Sequence, residues 1–308
     1  MTPRQLRYFL EVAQAGSITA AAHALHIAQP ALSQHIAAME DELGVQLLQR
    51  AARGVKLTAE GRRLLDRAAS ILRQLDRLKD DVHAASSEPA GPVSLCLVGS
   101  VAPILAVPLF RALDARAPGI RLHLATGMSS EARAMLEARR VEMALLPTAF
   151  ELSEFEALPV FEERFCLFGR KQLFAGEAQG PMAFRDIGER PLIAPDREHD
   201  LRKLIERAAL DQKCPLNVRY ELNSSVLLRR AVIEGLGFAV MPGNTFCAAD
   251  ARGLVAREIV EPVIERTQSL AWLSEQPLTP AAEVVKATLV DVVTTLVKQG
   301  ALKARLLV

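Results

Sequence analysis

From Leu64 to Val82 the apolar residues Leu64, Ala68, Ile71, Leu75, Leu78 and Val82 recur at steps of 4, 3, 4, 3 and 4. That rhythm fits one long helix with a single narrow apolar seam, flanked by Arg62, Arg63, Arg67, Arg73, Asp76, Arg77 and Lys79. Thr58 caps the predicted helix and Glu60 suits its first turn. It runs to roughly Ser86, where SSEPAGP (Ser86 to Pro92) breaks it. A seam this narrow is better covered by the same helix of a second copy than by the chain's own domain, which is the alternative. The seam also divides the chain. We expect a first segment over 1–58, a linker and dimerisation helix over 59–88, and a third region over 89–308.

The 308 residues are half apolar and about a quarter charged, ordinary for a well-packed protein of two or three domains. The net charge of +1 means that nucleic-acid binding must come from a local patch. Cys96, Cys166, Cys214 and Cys247 show no short pair spacing, so they read as reduced, mostly buried thiols. The first residues open an amphipathic helix rather than a basic-then-apolar leader, and no apolar run approaches ~18 residues. A cytoplasmic protein with no membrane partner is expected.

The first segment is helical. Thr2, Pro3 and Gln5 form a capping box, Leu6, Phe9, Leu10 and Ala13 face inward, and Gly16 ends the helix. Ser17 or Thr19 caps a short helix, ITAAAHAL, and a turn at His26 and Ile27 leads to a third. In that third helix Leu32, Ile36, Met39 and Leu43 are spaced for a buried face. Its exposed face opens with Gln29, Pro30, Ser33 and Gln34, where a merely solvated helix would carry Lys and Glu. Amides and hydroxyls at a helix start suit the fixed donors and acceptors of base edges in a major groove. VQLLQRAARGVKLT then reads as a β-wing with Arg50, Arg53 and Lys56 at its tip and flanks.

Beyond Val93, strand-like runs alternate with amphipathic stretches. The strands are VSLCLVG, IRLHLATG, VEMALLP, ERFCLFG, PLIAP, NVRYEL and GFAVMP; ILAVPLFRALDARA, SEARAMLEARR and LRKLIERAALDQ lie among them. This predicts a doubly wound α/β region. Its size and a break around Phe161 to Glu163 predict two lobes, the first about 93–161 with 267–308, the second about 162–266.

The stretch from Leu6 to Gly61, with GSITAAA, QPALS, MEDELG and a Thr58-led entry to the long helix, closely resembles the winged helix-turn-helix of LysR-type transcriptional regulators. PLIAPDREHDLRKLIE further resembles the nitrogen-assimilation-control-like subgroup. The resemblance implies an α+β multidomain protein. It would carry an N-terminal winged helix-turn-helix, a long linker helix and a two-lobed α/β effector domain like type 2 periplasmic binding proteins. It implies that Gln29, Pro30 and Ser33 touch the major groove and that Arg53 reaches the minor groove or its phosphates; Thr19, Gln34, Arg50 and Lys56 complete the DNA-facing set. Two positions depart from the pattern. Ala28 stands where Ser or Thr usually caps the reading helix, a loss of ~1 kcal/mol unless another group meets the free N–H donors. Gln34 stands where Arg is frequent, so a weaker phosphate or guanine contact is expected.

The same resemblance places a ligand cleft between the lobes, where strand ends meet helix starts. That selects Ser100, Val101, Gly127, Met128 and Thr148 from the first lobe, and His199, Asp200, Leu201, Ser224 and Ser225 from the second. Hydroxyls and free N–H groups would suit a small carboxylate or similar anion; Met128 and Asp200 fit that less well. The plain alternative is that Ser100 and Ser224 only cap helices.

His23, His26, His35, His83, His123 and His199 form no ligand-like grouping, and no nucleophile elbow, phosphate loop or Rossmann glycine pattern is present. No metal, cofactor or catalysis is expected. The expected partners are double-stranded operator DNA, further copies of the chain up to a homotetramer, a small-molecule effector, and RNA polymerase if the protein activates. Two alternatives remain. In one the effector region serves oligomerisation alone; in the other the chain belongs to another class, a solute-binding transport component, against which residues 1–58 argue.

Overall fold

Thr2 opens helix α1 (Pro3–Ala15): its hydroxyl accepts from the Gln5 N–H, and the Gln5 side chain accepts from the Thr2 N–H at 2.8 Å. Gly16 ends α1 in the left-handed region at φ 62°. Ser17, rather than Thr19, caps α2 (Ile18–Ala24). Helix α3 (Gln29–Leu43) follows a turn in which His26 adopts φ 53°. Phe9, Val12, Leu32 and Met39 are fully buried where the three helices meet. Leu43 departs from the expectation: it lies at the helix end and is 40% exposed. The computed structural model describes residues 1–51, 54–83, 89–147, 154–177, 180–197, 199–246 and 252–308; the side chains at 50, 66, 70, 73, 74 and 76–83 are not among those described.

Strands β1 (Leu48–Ala51) and β2 (Gly54–Leu57) form an antiparallel wing, pairing Gln49 with Lys56 and Ala51 with Gly54. Two features pin it. The Val55 N–H donates to the Gly16 carbonyl at 2.8 Å, and a Cβ at Gly54 would meet that same oxygen at 2.2 Å. The Glu40 carboxylate accepts from the Leu47 and Leu48 N–H groups, tying α3 to the wing. Thr58 then caps α4 (Ala59–His83), accepting from the Gly61 N–H at 2.9 Å.

Helix α4 packs on α1, with Ala68 and Leu72 buried in the core of their own unit. Ala68 therefore leaves the expected dimer seam, because its small side chain is already spent inside. Leu64 and Leu75 pack partly on that core, while Ile71 stays 41% exposed. The side chains of Leu78 and Val82 lie outside those described.

The chain divides into two compact units, Met1–Ser87 with Ala138–Arg140, and Glu88–Glu137 with Val141–Val308. The second unit begins with β3 (Gly91–Val98), α5 (Ala102–Arg116), β4 (Ile120–Gly127), α6 (Ser129–Glu137) and β5 (Met143–Pro147). Here β3 lies parallel to both β4 and β5. Next comes β6 (Phe155–Arg170), whose 16 residues run from one lobe into the other. Its Phe155, Val160 and Phe161 join the first core, and Phe165, Leu167 and Phe168 the second. The second lobe adds β7 (Met182–Ala183), β8 (Leu192–Ala194), α7 (Asp200–Asp211), β9 (Val218–Glu221), α8 (Ser225–Ile233), β10 (Ala239–Pro242) and β11 (Leu254–Val260). The chain returns through β12 (Glu265–Leu273), antiparallel to both β5 and β6, and closes the first lobe with α9 (Pro280–Lys298) and β13 (Arg305–Leu306).

The sheet is therefore mixed: the parallel β4-β3-β5 set is joined to antiparallel crossing strands. The strands read from the sequence all appear, whereas β11, β12 and α9 were not singled out. Two strands crossing between two cores leave a cleft with a continuous floor.

Candidate nucleic-acid interface and ligand cleft

On α3, Gln29, Pro30 and Gln34 are exposed and Ser33 is half-exposed. The Gln29 amide donates to the Ser33 hydroxyl at 3.0 Å, so the two present one joint set of donors and acceptors. Ala28 occupies the cap position and makes no side-chain cap bond, leaving the first N–H groups of the helix to an outside acceptor. Thr19 and Lys56 are exposed as well. Arg53 lies outside the described residues, and so does the side chain of Arg50.

In the second unit a cavity of about 80 Å³ lies between the lobes, lined by Ser100, Gly127, Met128, His199, Leu201 and Ser225 among the expected residues. Val101 does not line it: fully buried, it starts α5 as part of the first core. Ser224 does not either, because its hydroxyl caps α8 by accepting from the Leu227 N–H. Thr148 lies outside the described residues. The Met128 N–H, expected to be free for an anion, is taken by the Glu131 carboxylate at 2.7 Å. Ser100 resolves the other way from Ser224, since no side chain caps α5 and the Ser100 hydroxyl points elsewhere.

That partner is Arg266, which the sequence reading missed. From β12 its Nη2 donates to Ser100 Oγ at 3.2 Å, and its Nε donates to Glu163 Oε1 at 2.8 Å. Gln268 Nε2 donates to the same oxygen at 2.7 Å. Glu163 and Gln268 are fully buried, and the Arg266 side chain is only 11% exposed. A buried carboxylate is tolerated when a cation and hydrogen bonds meet it, and the pair fixes the guanidinium over the cleft. The signal was weak in sequence: ERTQSLAWL carries Arg, Thr, Gln and Ser and resembles an exposed segment until its pairing with β6 is known.

Across the cleft, His199 caps α7 through Nδ1, which accepts from the Leu201 N–H at 3.0 Å. Burial, then the charge of Arg266, lowers the His199 pKa below its ordinary value. Burial raises that of Asp200, against the opposing pull of Lys203 and Arg266. Burial also pushes the Cys96 and Cys166 thiols up to about 11, as inert structural thiols require.

With this geometry in view, comparison identifies the class. Residues 3–62 match the family described as bacterial regulatory helix-turn-helix protein, lysR family, and residues 86–294 match the LysR substrate binding domain. The chain belongs to the LysR family of DNA-binding transcriptional regulators and carries its effector-binding domain. It is 30% identical over 299 residues to the nitrogen assimilation regulatory protein nac of Escherichia coli K12, spanning 96% of each chain. It is 27% identical over 280 residues to the dual regulator OxyR of the same organism, covering 90% of this chain and 91% of that one. Full-length CbnR, solved in complex with its target DNA, shares the fold with a TM-score of 0.72 at 22% identity, covering 96% of this chain and 99% of that one. Regulators of this family bind operator DNA and oligomerise. Among the described residues no helix is long and apolar enough to cross a membrane.

Proposed function

We propose that this regulator reads its operator with Gln29, Pro30, Ser33 and Gln34 in the major groove. Thr19, Arg50, Arg53 and Lys56 would hold the flanking backbone or the minor groove. The observation that carries this is the uncharged, exposed start of α3 with no side-chain cap, which presents amides, a hydroxyl and free N–H groups together. Residues 1–58 form the reading head, 59–88 the linker helix, and 89–308 the effector region. Two chains join along α4 through Leu64, Ile71, Leu75, Leu78 and Val82, and effector regions join dimers into a homotetramer. The protein works in the cytoplasm and engages RNA polymerase where it activates.

The cleft holds a small metabolite that shifts the DNA-bound state. Ser100, Gly127, Met128, His199, Leu201 and Ser225 form its walls, with Arg266 as the counter-ion for an acidic group. Selection of bound sequences from a random DNA pool by the full-length protein tests the reading. A two-fold symmetric site with A and T flanks is expected, and recovery of no preferred sequence would overturn it.

A further inference from the structure

Pro242, Gly243, Asn244 and Thr245 make a turn at the end of β10, and the turn faces two ways. Pro242 and Thr245 line the cleft, whereas Gly243 lines a second cavity of about 340 Å³ with Glu162, Arg164 and Lys303. That second cavity lies behind the crossing strands. Side chains alternate along β6, so Glu163 meets Arg266 on the cleft side while Glu162 and Arg164 point the other way. The turn is stiff, because the Thr245 N–H and hydroxyl both donate to the Pro242 carbonyl, at 3.0 and 2.7 Å. Displacing its cleft side therefore displaces Asn244.

Asn244 is buried, and both ends of its amide go to one residue. Its Nδ2 donates to the Lys303 carbonyl at 3.0 Å, and its Oδ1 accepts from the Lys303 N–H at 2.8 Å. Lys303 belongs to the segment after α9, which is fixed to the first lobe. Leu302 is buried in that core, Arg305 and Leu306 pair with Glu162 and Phe161 of β6, and the Leu307 N–H donates to the Val160 carbonyl. The segment is thus a further tie between the lobes beside β6 and β12, and Asn244 is the second lobe's grip on it. We propose that Asn244 is a hinge latch, and that the lobes change their spacing only when its pair of bonds with Lys303 opens. Hydrogen bonds are short-ranged and directional, so turning one lobe against the other in either sense breaks the pair, while the crossing strands merely bend. Its consequence at DNA rests on the cleft being the effector site: a ligand there moves the turn, and with it the latch.

Pulsed double electron resonance on the full-length protein tests the latch without any ligand. Spin labels enter as non-canonical amino acids at Ser130 and Val226, exposed neighbours of the cleft residues Ser129 and Ser225, with labelled chains diluted among unlabelled ones. One narrow distance is expected in the wild type. Asn244→Ala is expected to raise the population of a second spacing about 30-fold, the weight of two neutral hydrogen bonds. Asn244→Asp keeps the acceptor for the Lys303 N–H and loses the donor; it should fall between the two, and it carries the same test if the alanine variant does not fold. Arg305→Ala removes an exposed ion pair of the same segment and is expected to leave the distances unchanged. An unchanged distribution in both Asn244 variants overturns the latch, and so does an equal change in Arg305→Ala, which would mark a general loosening of the segment. Footprints of the unliganded proteins separate the latch from the effector reading. A second spacing with the wild-type footprint keeps the latch and removes the cleft's control of DNA binding, whereas a footprint that shifts with the spacing supports both.

Discussion

Gln29 and Ser33 hold each other on the exposed start of α3, and this single bond makes them one reader rather than two. Replacing either with Ala should alter which bases are preferred, at roughly 1–3 kcal/mol for individual positions. The double variant should cost less than the sum, because the pair shares one contact. Lys56→Ala should instead weaken binding to all sequences and lower the salt slope by about one unit. Binding titrations on selected and scrambled duplexes at several salt concentrations separate the two behaviours; equal shifts in selectivity would contradict the division. His199 gives a second prediction at this scale. Its Nδ1 can accept from Leu201 only while the ring is neutral, and its folded pKa lies below the ordinary 6.5. Its contribution to stability is thus complete above that value and is lost as pH falls through the folded one. His199→Asn keeps a capping acceptor that does not titrate. The wild-type urea midpoint should fall relative to this variant between neutral and mildly acidic pH, while identical profiles would show that the cap is not coupled to the proton.

Helix starts and stops were the most legible elements, because their causes are local: the Thr2–Gln5 box, Ser17, the left-handed Gly16 and Gly44, and Thr58 all act within a few residues. The burial of α4 was harder to read. Its seam and its core-facing side overlap on one stripe, and only the packing against α1 assigns Ala68 and Leu72 inward while leaving Ile71 outside. This distinction gives a clean test. Ile71→Asp places a charge on an exposed position, so the reading head should keep its fold. If α4 joins two chains, that charge lies in the seam and costs several kcal/mol, so the assembly should separate. Sedimentation should report a smaller species with operator affinity reduced by the loss of the tethered second head. Leu72→Asp should instead unfold the head by burying an unpaired charge in its own core. An unchanged assembly for Ile71→Asp would mean that the seam does not join chains.

At the scale of the whole effector region, the alternation of strands and helices announced two lobes, and most of the cleft's helix starts were visible in the sequence. The floor was not. Arg266 meets Glu163 only because β12 returns across β6 after more than a hundred residues, and no local pattern records such a pairing. That return strand also joins the lobes through the Arg266–Ser100 bond, and the walls close nearby, where a Cβ on Gly99 would stand 3.3 Å from Ser225 Oγ. Ser100 is therefore both a wall of the cavity and a partner of the crossing strand. Ser100→Leu fills the cavity and removes the acceptor for Arg266, yet it alters nothing in the reading head. A ligand moves a two-state equilibrium only through its different affinity for the two states, so a blocked cleft should fix the resting state. Footprints should show near-normal operator occupancy by Ser100→Leu, with no change on adding a compound that shifts the wild-type footprint. Ser100→Ala separates the two effects, since it removes the hydroxyl and leaves the space. It should keep a response with weakened affinity, by about 10-fold if one hydrogen bond to a charged partner is lost. A full response from Ser100→Leu would place the effector elsewhere and leave Arg266 as a brace between strands.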